Sequence, residues 1–153
     1  RWETNRHHPD DEPVSLGHSH VVIMGMGRVG TGAYDEFTSL GHRTVGLDSD
    51  PGKAELHRKA GRRVLYADAE DPGFWSHLDL GSVEQVVLTM PELEAKLIST
   101  RQLRKRGFAG KISATVLFTD EVEPLKQAGA DQVYDYHDGI GVGLAHLALE
   151  LRS

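Results

Sequence analysis

The stretch His20-Val21-Val22-Ile23-Met24-Gly25-Met26-Gly27-Arg28-Val29-Gly30 decides the fold. Its first half is apolar, β-branched and closed by glycine. A short strand buried on both faces looks like this, which implies a parallel sheet covered by helices. Its second half spells G-x-G-x-x-G through Gly25, Gly27 and Gly30. That spacing is weak alone. Placed directly after a buried strand and at the opening of a helix, it has the context that a phosphate-binding loop requires. Gly25 permits the tight turn, Gly27 has no Cβ to keep a phosphate away from the backbone, and Gly30 lets the helix pack near the strand. The open amides and the dipole of that helix N-terminus favour an anion.

Working outward, the same alternation runs through the chain. Arg28 to Leu40 has apolar spacing at Val29, Ala33, Phe37 and Leu40, the stripe of a helix, and Gly41 stops it. Strands are predicted at 43–48, 63–66, 83–89, 111–118 and 132–134. Helices are predicted at 51–60, 71–80 (one short turn), 91–106, 120–128 and 140–151. Pro51 suits the first turn of its helix. Arg101, Arg104, Lys105 and Arg106 crowd one helix end, where they complement its dipole or face an acidic partner. Six strands alternating with helices define a Rossmann-like, doubly wound parallel sheet, with right-handed crossovers.

Before His20 the pattern is different. Residues 1–19 are polar, carry Pro9, Pro13 and the run Asp10-Asp11-Glu12, and read as a linker or loose arm. His7, His8, His18 and His20 cluster there; a solvated tail explains them, and a metal site is the rival reading. The folded part is expected over 20–153.

Composition narrows the function. The chain has 153 residues, enough for one domain. Seventeen basic against 23 acidic residues give a net charge of −6, which argues against nucleic acid and anionic membranes as partners. There is no cysteine, so disulfides, thiol catalysis and Cys-ligated metals are excluded. No run approaches the roughly 20 apolar residues of a membrane span, and no signal-peptide core is present. The chain begins at Arg1 and reads as a fragment of something longer.

The candidate ligand residues follow from the strand ends. The loop supplies Gly25, Met26, Gly27, Arg28, Val29 and Gly30; Arg28 adds a charge-assisted contact to phosphate or is a surface arginine. Asp48 ends the second strand, where a carboxylate accepts from ribose hydroxyls and repels a 2′-phosphate. Its alternative is a turn or cap residue. Ser49 lies beside it, Asp50 adds negative charge, and Arg43 at the other strand end cannot rescue NADP. Asp68 and Ala69 follow the third strand and border the adenine pocket, with a helix-cap or loop role for Asp68 as the alternative. Thr89 and Met90 end the fourth strand, beside the phosphates or a second nucleoside; Thr89 is otherwise a cap for the next helix. The expected ligand is AMP or NAD(H), with NADP disfavoured.

No catalytic constellation is evident. His77, His137 and His146 are scattered, Tyr34 and Tyr66 form no Tyr-x-x-x-Lys pair, and no chain remains for a substrate domain. The expectation is binding without catalysis. The rivals are the cofactor domain of an NAD-dependent oxidoreductase lacking its catalytic partner, and an interaction domain with a vestigial loop.

Val21 to Gly30, Asp48, Tyr66-Ala67-Asp68-Ala69 and Leu125-Lys126-Gln127-Ala128-Gly129-Ala130-Asp131 resemble the TrkA-N family, the RCK or KTN domains of potassium channels and transporters. The similarity is greatest to the cytoplasmic domain of Kef-type glutathione-regulated potassium-efflux antiporters and covers about His20 to Leu151. It implies a dimeric cytoplasmic module on a membrane-embedded cation transporter, in the same chain or a separate subunit, tethered at the inner membrane. It also implies NAD(H), AMP, ADP or ATP as ligand. On this resemblance Gly25, Gly27, Arg28 and Gly30 hold phosphate, Asp48 ribose, and Asp68 with Ala69 the adenine side. Two departures stand out. Ala67 replaces a common glycine, and Thr115 follows Ala114 where an arginine is common. The second points to a mononucleotide such as AMP, or NAD, and away from a glutathione response.

Overall fold

A computed structural model describes residues 14–150 of the chain. Among the described residues the eight strands and six α-helices are β1 (Val14–Ser15), β2 (Val21–Met24), α1 (Arg28–Ser39), β3 (Thr44–Asp48), α2 (Pro51–Lys59), β4 (Val64–Tyr66), α3 (Pro72–His77), β5 (Leu78–Asp79), β6 (Gln85–Leu88), α4 (Leu93–Lys105), β7 (Lys111–Val116), α5 (Val122–Ala128), β8 (Gln132–Asp135) and α6 (Tyr136–Glu150), with one 3-10 turn at Thr119–Glu121. The main sheet has six parallel strands in the order β4-β3-β2-β6-β7-β8. The chain starts in the middle, winds outward to one edge, then crosses back and winds to the other. The order therefore reverses between β2 and β6, where Met24 lies opposite Leu88. Crevices form at the carboxyl ends of the strands at such a switch point.

The sheet is covered on both sides. Alternate residues of β2 serve different cores, as a period of two demands. Val22 and Met24 pack with Trp75, Leu97, Leu103 and Leu125 under α3, α4 and α5. Val21 and Ile23 pack with Met26, Tyr34 and Ala54 under α1 and α2. All residues of β2 and β3 are buried, which is why their sequences carry no polar alternation.

Several boundaries differ from the sequence pattern, for local reasons. The apolar stripe of α1 is rotated: Gly30 and Tyr34 are buried and Ala33 and Phe37 pack beside them, while Val29 and Leu40 are exposed. α4 starts at Leu93, after Pro91. α6 follows β8 without a break and starts at Tyr136, because Asp135 Oδ1 accepts the amides of His137 and Asp138. A two-residue parallel ladder joins β1 to β5, so folded structure begins ahead of His20. Leu16 is buried, and Arg63 Nη1 donates to its carbonyl at 2.9 Å. His7, His8 and the acidic run 10–12 lie outside the described residues. Among the described residues no group of three or more potential ligand side chains is placed to hold a metal ion. No described helix is long and apolar enough to cross a membrane.

Candidate functional site

The carboxyl ends of β2, β3, β4 and β6 open into one cavity of about 340 Å³. Its walls come from four places: the glycine loop, the β3–α2 turn, the β4–α3 loop and the strip Thr89 to Glu92 leading into α4. This volume falls within the range of small-molecule sites, which favour such switch points.

The glycine loop is shaped by close packing. Gly25 has φ +100°, and a Cβ there would lie 2.9 Å from the Met90 amide nitrogen. A Cβ on Gly30 would overlap the Gly25 carbonyl oxygen and approach Thr89 Oγ1 to 2.8 Å. At Gly27 a Cβ would meet nothing within 4 Å, since that residue faces the cavity. α1 then begins with no side-chain cap and no acidic residue in its first turn. The first amides of a helix have no partner within it, so these point toward open space with the positive end of the dipole.

Side chains hold the loop from three sides. The Asp48 carboxylate accepts the Met26 N–H on Oδ2 at 2.8 Å and the Asp50 N–H on Oδ1 at 2.9 Å. His57 Nε2 donates to the Met26 carbonyl at 2.8 Å. Arg62 stands behind His57 at 3.5 Å and grips Asp35 with two bonds of 2.9 Å. The Arg62 guanidinium, by hydrogen bonding, holds the Asp35 carboxyl below the usual carboxylate range. The Thr89 hydroxyl donates into the paired carbonyls of Gly25 (2.5 Å) and Met24 (3.0 Å).

Of the residues expected from sequence, Gly25, Gly27, Asp48, Ser49, Asp68, Ala69, Thr89 and Met90 line the cavity. Met26, Arg28, Val29 and Gly30 do not. Met26 is 1% exposed, with its thioether seated over Gly46. Arg28 and Val29 sit on the outer side of α1. Gly30 is buried against the strand. Asp68 does not cap a helix: its Oδ1 accepts the Glu70 amide at 2.9 Å, and Asp71 caps α3. Thr89 does not cap α4 either, where Glu92 holds that position. Asp50 caps α2, accepting from Gly52 and Lys53, with Pro51 next in line.

Sequence reasoning missed Lys53, Glu70 and Glu92 as lining residues and His57 as a brace. Asp-Pro at 50–51 announced a helix start, and with it that Lys53 lies in the first turn. Nothing local announces His57 or Glu92, whose positions depend on how separate elements meet. Lys96 was also missed. It is 1% exposed, and its Nζ donates to the Thr115 carbonyl at 2.6 Å. Burial pushes its pKa below the ordinary lysine value.

Strand order, glycine loop and cavity define a Rossmann-like, doubly wound domain. The chain belongs to the TrkA-N domain family, whose model matches residues 21–135. It is 33% identical over 114 residues to a putative K(+) efflux antiporter KefB of Alkalimonas amylolytica, covering 74% of this chain and 17% of that protein. It is 30% identical over 112 residues to the glutathione-regulated potassium-efflux system protein KefC of Cronobacter sakazakii, covering 73% of this chain and 18% of that protein. The chain thus spans less than a fifth of these relatives. Among solved structures, the NAD(P)-binding domain of an exopolyphosphatase-related protein from Archaeoglobus fulgidus superposes with a TM-score of 0.78 at 24% identity, covering 86% of this chain and 98% of that one. The TrkA-N domain of the Escherichia coli inner membrane protein ybaL gives 0.73 at 19%, covering 87% and 98%. The AMP-bound Kef C-terminal domain of Shewanella denitrificans gives 0.65 at 18%, covering 84% and 79%. At these identities the likeness establishes the shared fold.

Proposed function

We propose that this chain is a nucleotide-binding regulatory domain of a potassium-efflux or other monovalent-cation transporter, and that its ligand is AMP or NAD(H). One observation carries the reading. A single cavity joins the uncapped start of α1 at Gly27 to the Asp48 carboxylate and the β4 end at Asp68 and Ala69. An anion acceptor, a sugar acceptor and an adenine wall are then in the order an adenine nucleotide presents them. Phosphate sits at Gly25, Gly27 and Gly30, with Arg28 reaching it from outside and Val29 contributing backbone, while Met26, its N–H held by Asp48 and its carbonyl by His57, braces the loop. Ribose sits at Asp48 and Ser49, and adenine at Asp68 and Ala69. Thr89 and Met90 flank the phosphate or a second nucleoside. A 2′-phosphate would meet the Asp48 carboxylate, so NADP is disfavoured.

The domain works as a homodimer on the cytoplasmic side, attached to a membrane-embedded transporter, and binds its ligand without transforming it. α6 supports the pairing: none of its residues is buried, and Ile140, Val142, Leu144, Leu147 and Leu149 are each more than half exposed. Ligand occupancy gates transport by favouring one arrangement of the dimer, which requires different affinities in the two arrangements. Calorimetry with AMP, NAD and NADH, and NADP as contrast, tests the ligand; no heat with any of the four overturns the reading. Sedimentation of the chain and of Leu144→Asp tests the pairing; a monomeric parent overturns that part.

A further inference from the structure

Two consecutive peptide units of the glycine loop are held differently. The Gly25–Met26 unit is tied at both ends: Thr89 Oγ1 donates to the Gly25 carbonyl, and the Met26 N–H donates to Asp48. The Met26–Gly27 unit is tied at one end. Its carbonyl accepts from His57 Nε2 at 2.8 Å and, less closely, from the Thr31 hydroxyl at 3.3 Å. Its other end, the Gly27 N–H, is set against no acceptor among the described residues. A peptide unit is planar and trans, so its C=O and N–H point in opposite directions. His57 lies outside the lining of the cavity, whereas Gly27 belongs to it. The Met26 carbonyl is therefore drawn away from that space, and the Gly27 N–H is turned toward it.

The histidine ring can do this in one protonation pattern, and its neighbours impose that pattern. Arg62 Nη1 stands 3.5 Å from Nδ1. A guanidinium carries donors only, so Nδ1 is bare and Nε2 bears the proton. Asp35, on α1, keeps Arg62 in place with two bonds of 2.9 Å.

We propose that His57 is a positioning residue of the phosphate loop: it aims the Gly27 N–H at the anion without touching the ligand. The inference rests on the nucleotide reading above. A glycine at 27 leaves the Met26–Gly27 unit free to rotate. A rotated unit would turn a carbonyl oxygen toward the phosphate, where like partial charges repel. The bond from His57 removes that freedom, so an open glycine and a histidine 30 residues away serve one site.

Calorimetry with AMP and adenosine, on the parent chain, His57→Leu and His57→Gln, tests this. Leucine removes the donor, and glutamine returns an N–H at a similar reach; His57→Ala stands in if leucine unfolds the chain. AMP affinity should fall roughly tenfold in His57→Leu, the worth of one hydrogen bond to a charged group, and return to within about threefold of the parent in His57→Gln. Adenosine, which has no phosphate, should bind all three chains within about twofold of one another. In nitrogen-15 spectra the Gly27 amide should move on adding AMP to the parent and to His57→Gln, and move less in His57→Leu. Equal losses of AMP and adenosine, unchanged AMP affinity in His57→Leu, or no recovery in His57→Gln overturns this inference alone. Where adenosine binds too weakly to titrate, a Gly27 amide that responds alike in all three chains overturns it. No heat with AMP in the parent overturns the nucleotide reading and this inference together.

Discussion

The Asp48 carboxylate accepts the Met26 amide at 2.8 Å across the β2–β3 strand pair. One side chain thus fixes the end of β3 to the middle of the glycine loop, and its second oxygen fixes the start of the next turn at Asp50. The same residue that is proposed to grip a sugar also shapes the loop that is proposed to hold a phosphate.

Asp48→Ala should therefore lose twice. Two charged hydrogen bonds disappear and the Met26 amide is left buried without a partner, so stability should fall by about 2–4 kcal/mol. Nucleotide affinity should fall by a further 1–3 kcal/mol or so, the worth of a charged acceptor. Thermal melts read the first and calorimetry on the folded fraction reads the second; unchanged affinity in a folded variant refutes the ribose assignment.

Two glycines of one motif should respond in opposite ways. Gly30→Ala drives a methyl into the Gly25 carbonyl and should destabilise by about 3 kcal/mol or more. Gly27 has an ordinary φ of −76° and open space, so Gly27→Ala should stay within about 1 kcal/mol of the parent. Its methyl instead occupies the approach to the loop, and nucleotide binding should weaken roughly tenfold or more. Melts and titrations side by side check the pair; a Gly27→Ala variant that binds normally sinks the phosphate assignment.

Lys96 is buried with a neutral acceptor, and desolvation lowers its pKa from the ordinary 10.5. The unfolded chain then holds more protons than the folded one between the lowered value and 10.5. Stability from this group rises with pH across that window and is diminished below it. Lys96→Met should raise the melting temperature at neutral pH and flatten the alkaline rise. Melts from pH 8 to about 11 check this; a variant less stable than the parent at every pH shows that the Thr115 contact outweighs the burial cost.

The sequence places Arg104 in a basic cluster that complements the dipole of its helix or faces an acidic partner. The structure makes it a staple: Nε donates to the Gly129 carbonyl, Nη1 to those of Phe108 and Gly110, and Nη2 to Asp131. Asp131 in turn accepts the Ile112 amide at 2.8 Å. Arg104→Ala should cost about 2–4 kcal/mol and Arg104→Lys should restore little of it, since an ammonium cannot reproduce the fork. Arg101→Ala, at an exposed position on the same helix, should cost under about 0.5 kcal/mol. Equal losses at both sites refute the staple.

These cases show what a linear reading can reach. The β2–loop–α1 unit was legible because strand, turn and helix signals are contiguous. The helix start at Pro51 and the glycine stops were legible for the same reason. Asp48, Asp68 and Thr89 were legible as strand ends, since the fold brings strand ends together. Arg104, His57 and Glu92 were not, because each acts across elements whose docking no local pattern encodes. Lys96 was hidden by its residue type, as lysine is rarely so buried. The two-residue β1–β5 ladder is too short to leave a periodic signal, and the apolar pattern marks the last helix only from Ile140 although α6 starts at Tyr136.

α6 has a thermodynamic corollary. A fifteen-residue helix with no fully buried residue, held to its own domain only near its first turn, has little beyond intrinsic propensity to keep the rest of it wound. Whatever surface meets it supplies the missing free energy, and supply by a second molecule obeys mass action. On the proposed pairing, the melting point of the chain should rise with its concentration, so that helicity becomes a property of the solution as well as of the sequence.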